Sequence, residues 1–236
     1  MIRRWRDLPV PYITTWSAET SDARNDAGQL GIMSATRPHT VKGFDTLFYR
    51  NEQADDRDMF GMLWNRMPHK PGVGYPVFKS IHPRRQPACM RSGACQICAS
   101  PGSVWMISAA HWAGHYSRRG AAPFTTHEPP VCVDCAKIAM RHCPRLSRDG
   151  SVLLTATKWA PTAVRGFKAD PIAGTLLPDE SMMTLPGTDP PPAAADLRLF
   201  LATLLMATLW QPVVLAAPED SPGLGSNLAP LAKRPE

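Results

Sequence analysis

The chain has 236 residues, a formal net charge of +6, 44% hydrophobic residues, 25 Pro and 16 Gly. That length suits one ordinary domain, alone or with long extensions; the apolar share excludes a wholly disordered chain, and the Pro and Gly content implies much loop. Six cysteines are too few for a disulfide scaffold of this size, and four of them form two Cys-x-x-Cys pairs, a spacing that suits metal ligation in a reducing compartment.

The opening residues Arg3, Arg4 and Arg6 resemble the basic start of an export signal, but no apolar run of adequate length comes after them, and Pro9 and Pro11 interrupt. No export signal is read, and a cytoplasmic setting is expected. Residues 1–44 show neither a period of 2 nor one of 3.6 and read as an irregular arm. From Asp56 to Met67, Phe60, Leu63, Trp64 and Met67 fall at i, i+3, i+4 and i+7, which predicts a helix capped by Asp55 or Asp56 and ended by Pro68. The acids Asp55, Asp56 and Asp58 are then helix-start residues rather than metal ligands. The segment Pro71–Pro76 reads as a turn, and Ser151–Lys158 as a strand. Residues 171–193 look like a Pro-rich linker, and 218–236 like a disordered tail.

Leu199 to Ala217 carries no formal charge and is just long enough to span a bilayer as a helix. Gln211-Pro212 divides it, so residues 194–217 are read as a buried helix, Ala194 to Trp210, followed by a strand, Val213 to Leu215. A membrane segment is the alternative.

Cys95-x-x-Cys98 and Cys132-x-x-Cys135 can supply the four thiolates of a closed tetrahedral zinc site. The 33 residues between the pairs, 99–131, leave room for a further element. A β-hairpin is expected there, with Val104–Ser108 as its first strand, His111–Ala122 as the loop and Phe124–Thr126 as the return. Pro129-Pro130 introduce a short helix, Val133 to His142, that Pro144 stops. Its first turn carries Cys135. Cys89 and Cys143 could replace a ligand or pair with each other, but read first as small buried hydrophobes.

The order of knuckle, hairpin and helix resembles the treble-clef zinc-finger arrangement over about residues 90–146, inside a domain spanning 45–170. The fold class expected is α+β: a small treble-clef-like module with irregular Pro-rich flanks and a C-terminal helix-strand. Arg57-Asp58, Gly61-Met62-Leu63-Trp64, His82-Pro83-Arg84-Arg85-Gln86 and His142-Cys143-Pro144 are also similar to uncharacterised actinobacterial proteins carrying one such module, which implies a bacterial source.

Treble-clef scaffolds include HNH endonucleases, structural fingers and nucleic-acid binders, so the side chains must discriminate. His111, His115 and His127 lie between the cysteine pairs. However, Ala110 and Gly114 stand where the HNH family commonly has Asp or His, Ala136 follows the second pair where many members have His, and residues 99–127 contain no Asp or Glu. A hydrated magnesium ion would lack its usual carboxylate, so HNH chemistry is a lesser alternative.

Residues 79–150 hold ten Lys/Arg against three acids, more than the whole excess of positive charge. Cations on a compact module release counterions from phosphates, so DNA or RNA is the expected partner. The candidate contacts are Arg84, Arg85, Arg91, Arg118, Arg119, Arg141 and Arg145, with Trp112 and Tyr116 available to stack on unpaired bases. Two alternatives remain: the cations compensate the charge of a four-thiolate zinc centre, or the finger binds another protein.

Overall fold

A computed structural model describes residues 2–20, 30–33, 45–119, 123–188 and 197–217 of this α+β protein. The chain divides into two compact units. The cysteine unit comprises Met1–Ile13, Ala88–Pro161 and Ala207–Glu236; the second unit comprises Thr14–Pro87 and Thr162–Met206.

In the cysteine unit, strand Ser151–Thr155 pairs antiparallel with Trp105–Ser108 on one side and Val213–Ala216 on the other. Its core holds Trp105, Ile107, Trp112, Phe124, Val152, Leu154 and Leu209. The hairpin expected between the cysteine pairs does not form. Phe124–Thr126 instead pairs antiparallel with Ala207–Leu209, while most of the expected loop His111–Ala122 lies in a helix, Ala109–Arg119. The reason is local and tertiary together. The Ser108 hydroxyl accepts the His111 amide at 3.3 Å as a helix cap, and Ala109, Trp112, Ala113 and Tyr116 recur at helical spacing, so burying Trp112 favours a helix despite Gly114.

The helix expected after the second cysteine pair is present as Val133–His142, followed by a second short one, Pro144–Asp149. A two-stranded hairpin, Arg3–Trp5 with Leu8–Val10, lies where an irregular arm was expected. Beside it, Ile2 packs on the cluster that contains Cys95, Cys135 and Ala136.

In the second unit, Thr14–Trp16 pairs with Pro76–Ile81 and Leu30–Met33 with Thr46–Tyr49, two more departures from an irregular arm. The predicted helix over 56–67 is replaced by a tight loop and a short strand, Leu63–Trp64. The acids do not cap a helix; they fold this loop. Asp58 accepts the amides of Phe60 and Met62 on Oδ1 and the Trp64 indole N–H on Oδ2. Asp56, fully buried, forms a bidentate pair with Arg66, whose guanidinium lies 4.3 Å from the Tyr49 ring centre. Gly61 turns the chain at φ +77°, a left-handed conformation that suits glycine.

The expected Pro-rich linker contains a strand, Thr175–Thr184, antiparallel to Lys158–Asp170. Among the described residues it pairs on one side only, and an edge strand tolerates Pro178 because one of its edges needs no amide donor. The last part of that linker, 189–193, and the expected tail, 218–236, lie outside the described residues.

The apolar run expected as a helix is a strand, Phe200–Trp210. Its first half runs parallel to Leu63–Trp64 and beside the strand that ends at Asp170. A strand buried on both faces reads as continuous apolar sequence, which periodicity cannot tell from a buried helix. Among the described residues no helix is long and apolar enough to cross a membrane.

At Gly166 this strand pair closes so tightly that an added Cβ would stand 2.0 Å from the Leu201 carbonyl oxygen. Backbone cannot yield as a flexible side chain would. Gly166→Ala is therefore expected to destabilise the protein by about 2 kcal/mol or more, read from the midpoint of urea unfolding.

Candidate metal centre

Cys95 and Cys98 sit on a knuckle closed by an isolated antiparallel bridge between Ala94 and Pro101. The Cys95 amide donates to the Ser100 carbonyl at 2.6 Å and the Ala99 amide to the Cys95 carbonyl at 2.8 Å, while Ala99 takes a left-handed φ of +62°. The second pair arrives through Val131, which exchanges hydrogen bonds with Val104 at 2.7 and 3.1 Å. Cys132 precedes the helix Val133–His142 and Cys135 lies in its first turn. All four sulfurs come within 4.8 Å of one another, with Cys98 and Cys132 3.9 Å apart. Four cysteines so placed could hold a metal ion.

The electrostatics of the thiols fit that use. The Ile97 amide points at the Cys95 sulfur from 3.4 Å. Burial acts to raise the pKa of Cys98, but hydrogen bonds from the amide and hydroxyl of Ser100, and from Cys135 and Cys95, outweigh it and bring the thiol down to about 7. Burial pushes Cys95 up, and burial with the neighbouring thiols pushes Cys135 up further. One thiolate forms readily in this cluster. Cys95 and Cys135 need a cation to offset the charge they would add.

Cys89 and Cys143 stand outside this group. Cys89 is buried and directs its thiol at the Cys95 carbonyl, 3.9 Å away; Cys143 is half-buried between the two helices.

A second group of potential ligands, Glu19, His69 and His82, lies in the other unit. Sequence reading missed it because Glu19 fell in the presumed arm. Its lone pairs are already committed. Glu19 receives both Nη groups of Arg85 at 2.6 and 2.8 Å, together with the amides of Trp16 and Lys70. The amides of Arg84 and Arg85 point at His82 Nδ1, so the ring proton sits on Nε2 and faces the Pro68 carbonyl at 3.2 Å. With the Arg85 guanidinium supplying the positive charge, this is a buried ion-pair lock that ties together residues 14–19, 68–70 and 82–85. Burial and the adjacent Arg85 lower His82 to about 4, against the opposing pull of Pro68 and Glu19.

The residues expected to meet nucleic acid separate sharply. Arg85 is only 2% exposed and directs both Nη groups to Glu19 and the Thr14 carbonyl, so no phosphate reaches it. Arg84 is exposed but paired with Asp55 and Asp56. Arg91, Arg118, Arg141 and Arg145 are exposed on the cysteine unit, where Arg119 ends its helix. Trp112, at 4% exposure, is a core residue and Tyr116 packs against the same core, so neither offers a free stacking face.

His111 and His115 face the Phe124 ring at 5.2 and 4.9 Å, and His127 lies 3.9 Å from Glu128. These three histidines form no converging ligand group among the described residues. Comparison with protein-family models, with curated proteins and with solved structures finds no match.

Metal affinity should follow the protons. Because the thiols must be deprotonated to ligate, apparent affinity for zinc is expected to fall about tenfold or more per pH unit between pH 8 and 6, read by competition with a chromophoric chelator. Cys132→Ser is expected to abolish stoichiometric binding in the same assay.

For His82 the sign is set by a folded pKa below the unfolded value. The unfolded chain takes up the proton first as pH falls below about 6.5, so stability is lost between there and pH 4. The loss attributable to this group is roughly 3 kcal/mol, and it should be visibly smaller in His82→Gln when urea midpoints are compared at pH 7 and 4.5.

Proposed function

We propose that the cysteine unit is a zinc-stabilised module that binds nucleic acid through a basic surface. Zinc suits the cysteine cluster because four Zn–S bonds of about 2.3 Å imply a tetrahedral edge of about 3.8 Å, close to the sulfur spacing, and because thiolates are soft donors. Cys95, Cys98, Cys132 and Cys135 would be the ligands, and the ion would supply folding energy on the order of 10 kcal/mol rather than reactivity.

The observation that carries the binding role is how the two units use their cations. By sequence, the cysteine unit has 13 Lys/Arg against 7 Asp/Glu and the second unit 13 against 13. In the second unit arginines are consumed internally: Arg57 by Glu52, Arg66 by Asp56, Arg84 by Asp55 and Arg85 by Glu19. In the cysteine unit Arg118, Lys137, Arg141 and Arg145 are exposed and form no ion pair among the described residues.

Charge compensation of the metal explains these cations less well. Cys135, Ala136 and Ala139 define the inward side of the helix Val133–His142, and Lys137 and Arg141, four residues apart, lie on the other. Cations held out toward solvent suit a polyanion.

Binding of mixed-sequence DNA and RNA, followed by fluorescence anisotropy over a salt series, tests the reading. The triple variant Lys137→Gln, Arg141→Gln, Arg145→Gln is expected to weaken binding at low salt and to flatten the log K against log salt plot by about 0.9 for each phosphate no longer neutralised on duplex DNA. No binding at low salt would overturn the proposal in favour of a protein-interaction finger. Magnesium-dependent cleavage that disappears in His111→Ala or His115→Ala would favour HNH chemistry.

A further inference from the structure

We infer that the Arg3–Val10 hairpin is the element that enters the major groove of double-stranded DNA; this rests on the nucleic-acid role proposed above. Its two strands are joined by a two-residue turn, Arg6-Asp7, with register Arg3 to Val10 and Trp5 to Leu8. Arg3, Arg4 and Arg6 are all exposed. The Arg3 side chain has no hydrogen bond or ion pair among the described residues, Arg4 spends one donor on the Asp7 carbonyl at 2.6 Å, and Arg6 lies 4.5 Å from the Trp5 ring centre. Most of the guanidinium donors in this ribbon therefore remain available.

The turn is a second, independent sign of use. Both central residues take left-handed conformations, φ 47° at Arg6 and 62° at Asp7. A turn of this kind favours Asn-Gly, and a long side chain without glycine's freedom is strained there. Strain at an exposed tip is a feature that binding can use, because it holds an arginine at the farthest point of the ribbon.

The class of nucleic acid follows from shape. A two-stranded ribbon fits the major groove of B-form DNA, whereas the narrow major groove of A-form RNA does not admit side chains. Single-strand binders need open stacking rings. On the cysteine unit Trp105, Trp112 and Phe124 are buried, Tyr116 and Trp159 pack on the core, and Tyr12, at 37%, is the exposed ring among the described residues.

The test uses the full chain loaded with zinc. Duplex DNA, the same sequence single-stranded, and an RNA duplex are compared by anisotropy, and guanine N7 accessibility is probed with dimethyl sulfate. Wild type is expected to prefer duplex DNA and to protect N7, which lies in the major groove. Arg6→Gly should relieve the turn, so its melting temperature should hold or rise while duplex affinity falls roughly tenfold. Arg3→Gln with Arg4→Gln should remove N7 protection yet keep salt-sensitive binding.

Tight duplex binding without N7 protection, equal affinity for single strands or RNA, or full affinity in Arg6→Gly would overturn this inference and leave the nucleic-acid role standing. No binding to any of the three probes would overturn both.

Discussion

Four sulfur atoms within 4.8 Å of one another cannot all carry negative charge unless a cation joins them, and this constraint organises the cysteine unit. The knuckle at Cys95–Cys98 and the helix beginning after Cys132 are separated by a strand, a helix and another strand, yet both must present their thiols to one point. The means are short backbone hydrogen bonds: the Val104–Val131 exchange brings the second pair beside the first, and the Gln96 amide donates to the Pro130 carbonyl at 3.0 Å. Apolar packing continues outward, as Ile97, Met106, Val131 and Ala136 share a cluster with two of the cysteines. A metal ion bound by these four thiols would couple its affinity to the folding of this unit.

The second unit solves the problem of buried charge without a metal. Glu19 with Arg85, and Asp56 with Arg66, are buried pairs that also accept backbone amides, and Asp56 takes Arg84 as well. Such pairs do not by themselves make a protein more stable than apolar packing would, but removing one partner strands the other. They also fix which segments lie together, since Glu19 reaches Lys70 and Arg85 across long stretches of sequence. The consequence for function is a division of labour. Arginines engaged in these locks are not available to a partner, while Arg91, Arg118, Arg141 and Arg145 of the cysteine unit face solvent.

The readings that held rest on local chemistry. The two Cys-x-x-Cys pairs, the helix started near Pro130 and stopped at Pro144, and the turn at Pro71–Pro76 depend on ligand spacing, fixed proline φ and glycine freedom, all of which act over a few residues. Those that failed turned on side-chain bonds or strand partners that a periodic pattern does not register. Phe60, Leu63, Trp64 and Met67 satisfy a helical period, but Asp58 finds the Trp64 indole and Asp56 finds Arg66, and these side-chain bonds favour a loop. The Ser108 cap and the spacing of Trp112 and Tyr116 were legible signals for the helix Ala109–Arg119, obscured by the expectation of a hairpin.

Of the candidate site, the sequence alone determined the four clustered cysteines and the concentration of positive charge around them, because spacing and composition survive any arrangement of the chain. Tertiary structure decided which charges are available. Arg84 and Arg85 are adjacent in sequence to each other and close to His82, yet Arg85 is sealed against Glu19 while Arg84 meets Asp55 at the surface. Arg3, Arg4 and Arg6 fall in an arm that reads as irregular, and strand pairing makes them an exposed ribbon. The difference is physical: a guanidinium binds whichever carboxylate folding brings within reach, and only the three-dimensional arrangement determines whether one is there.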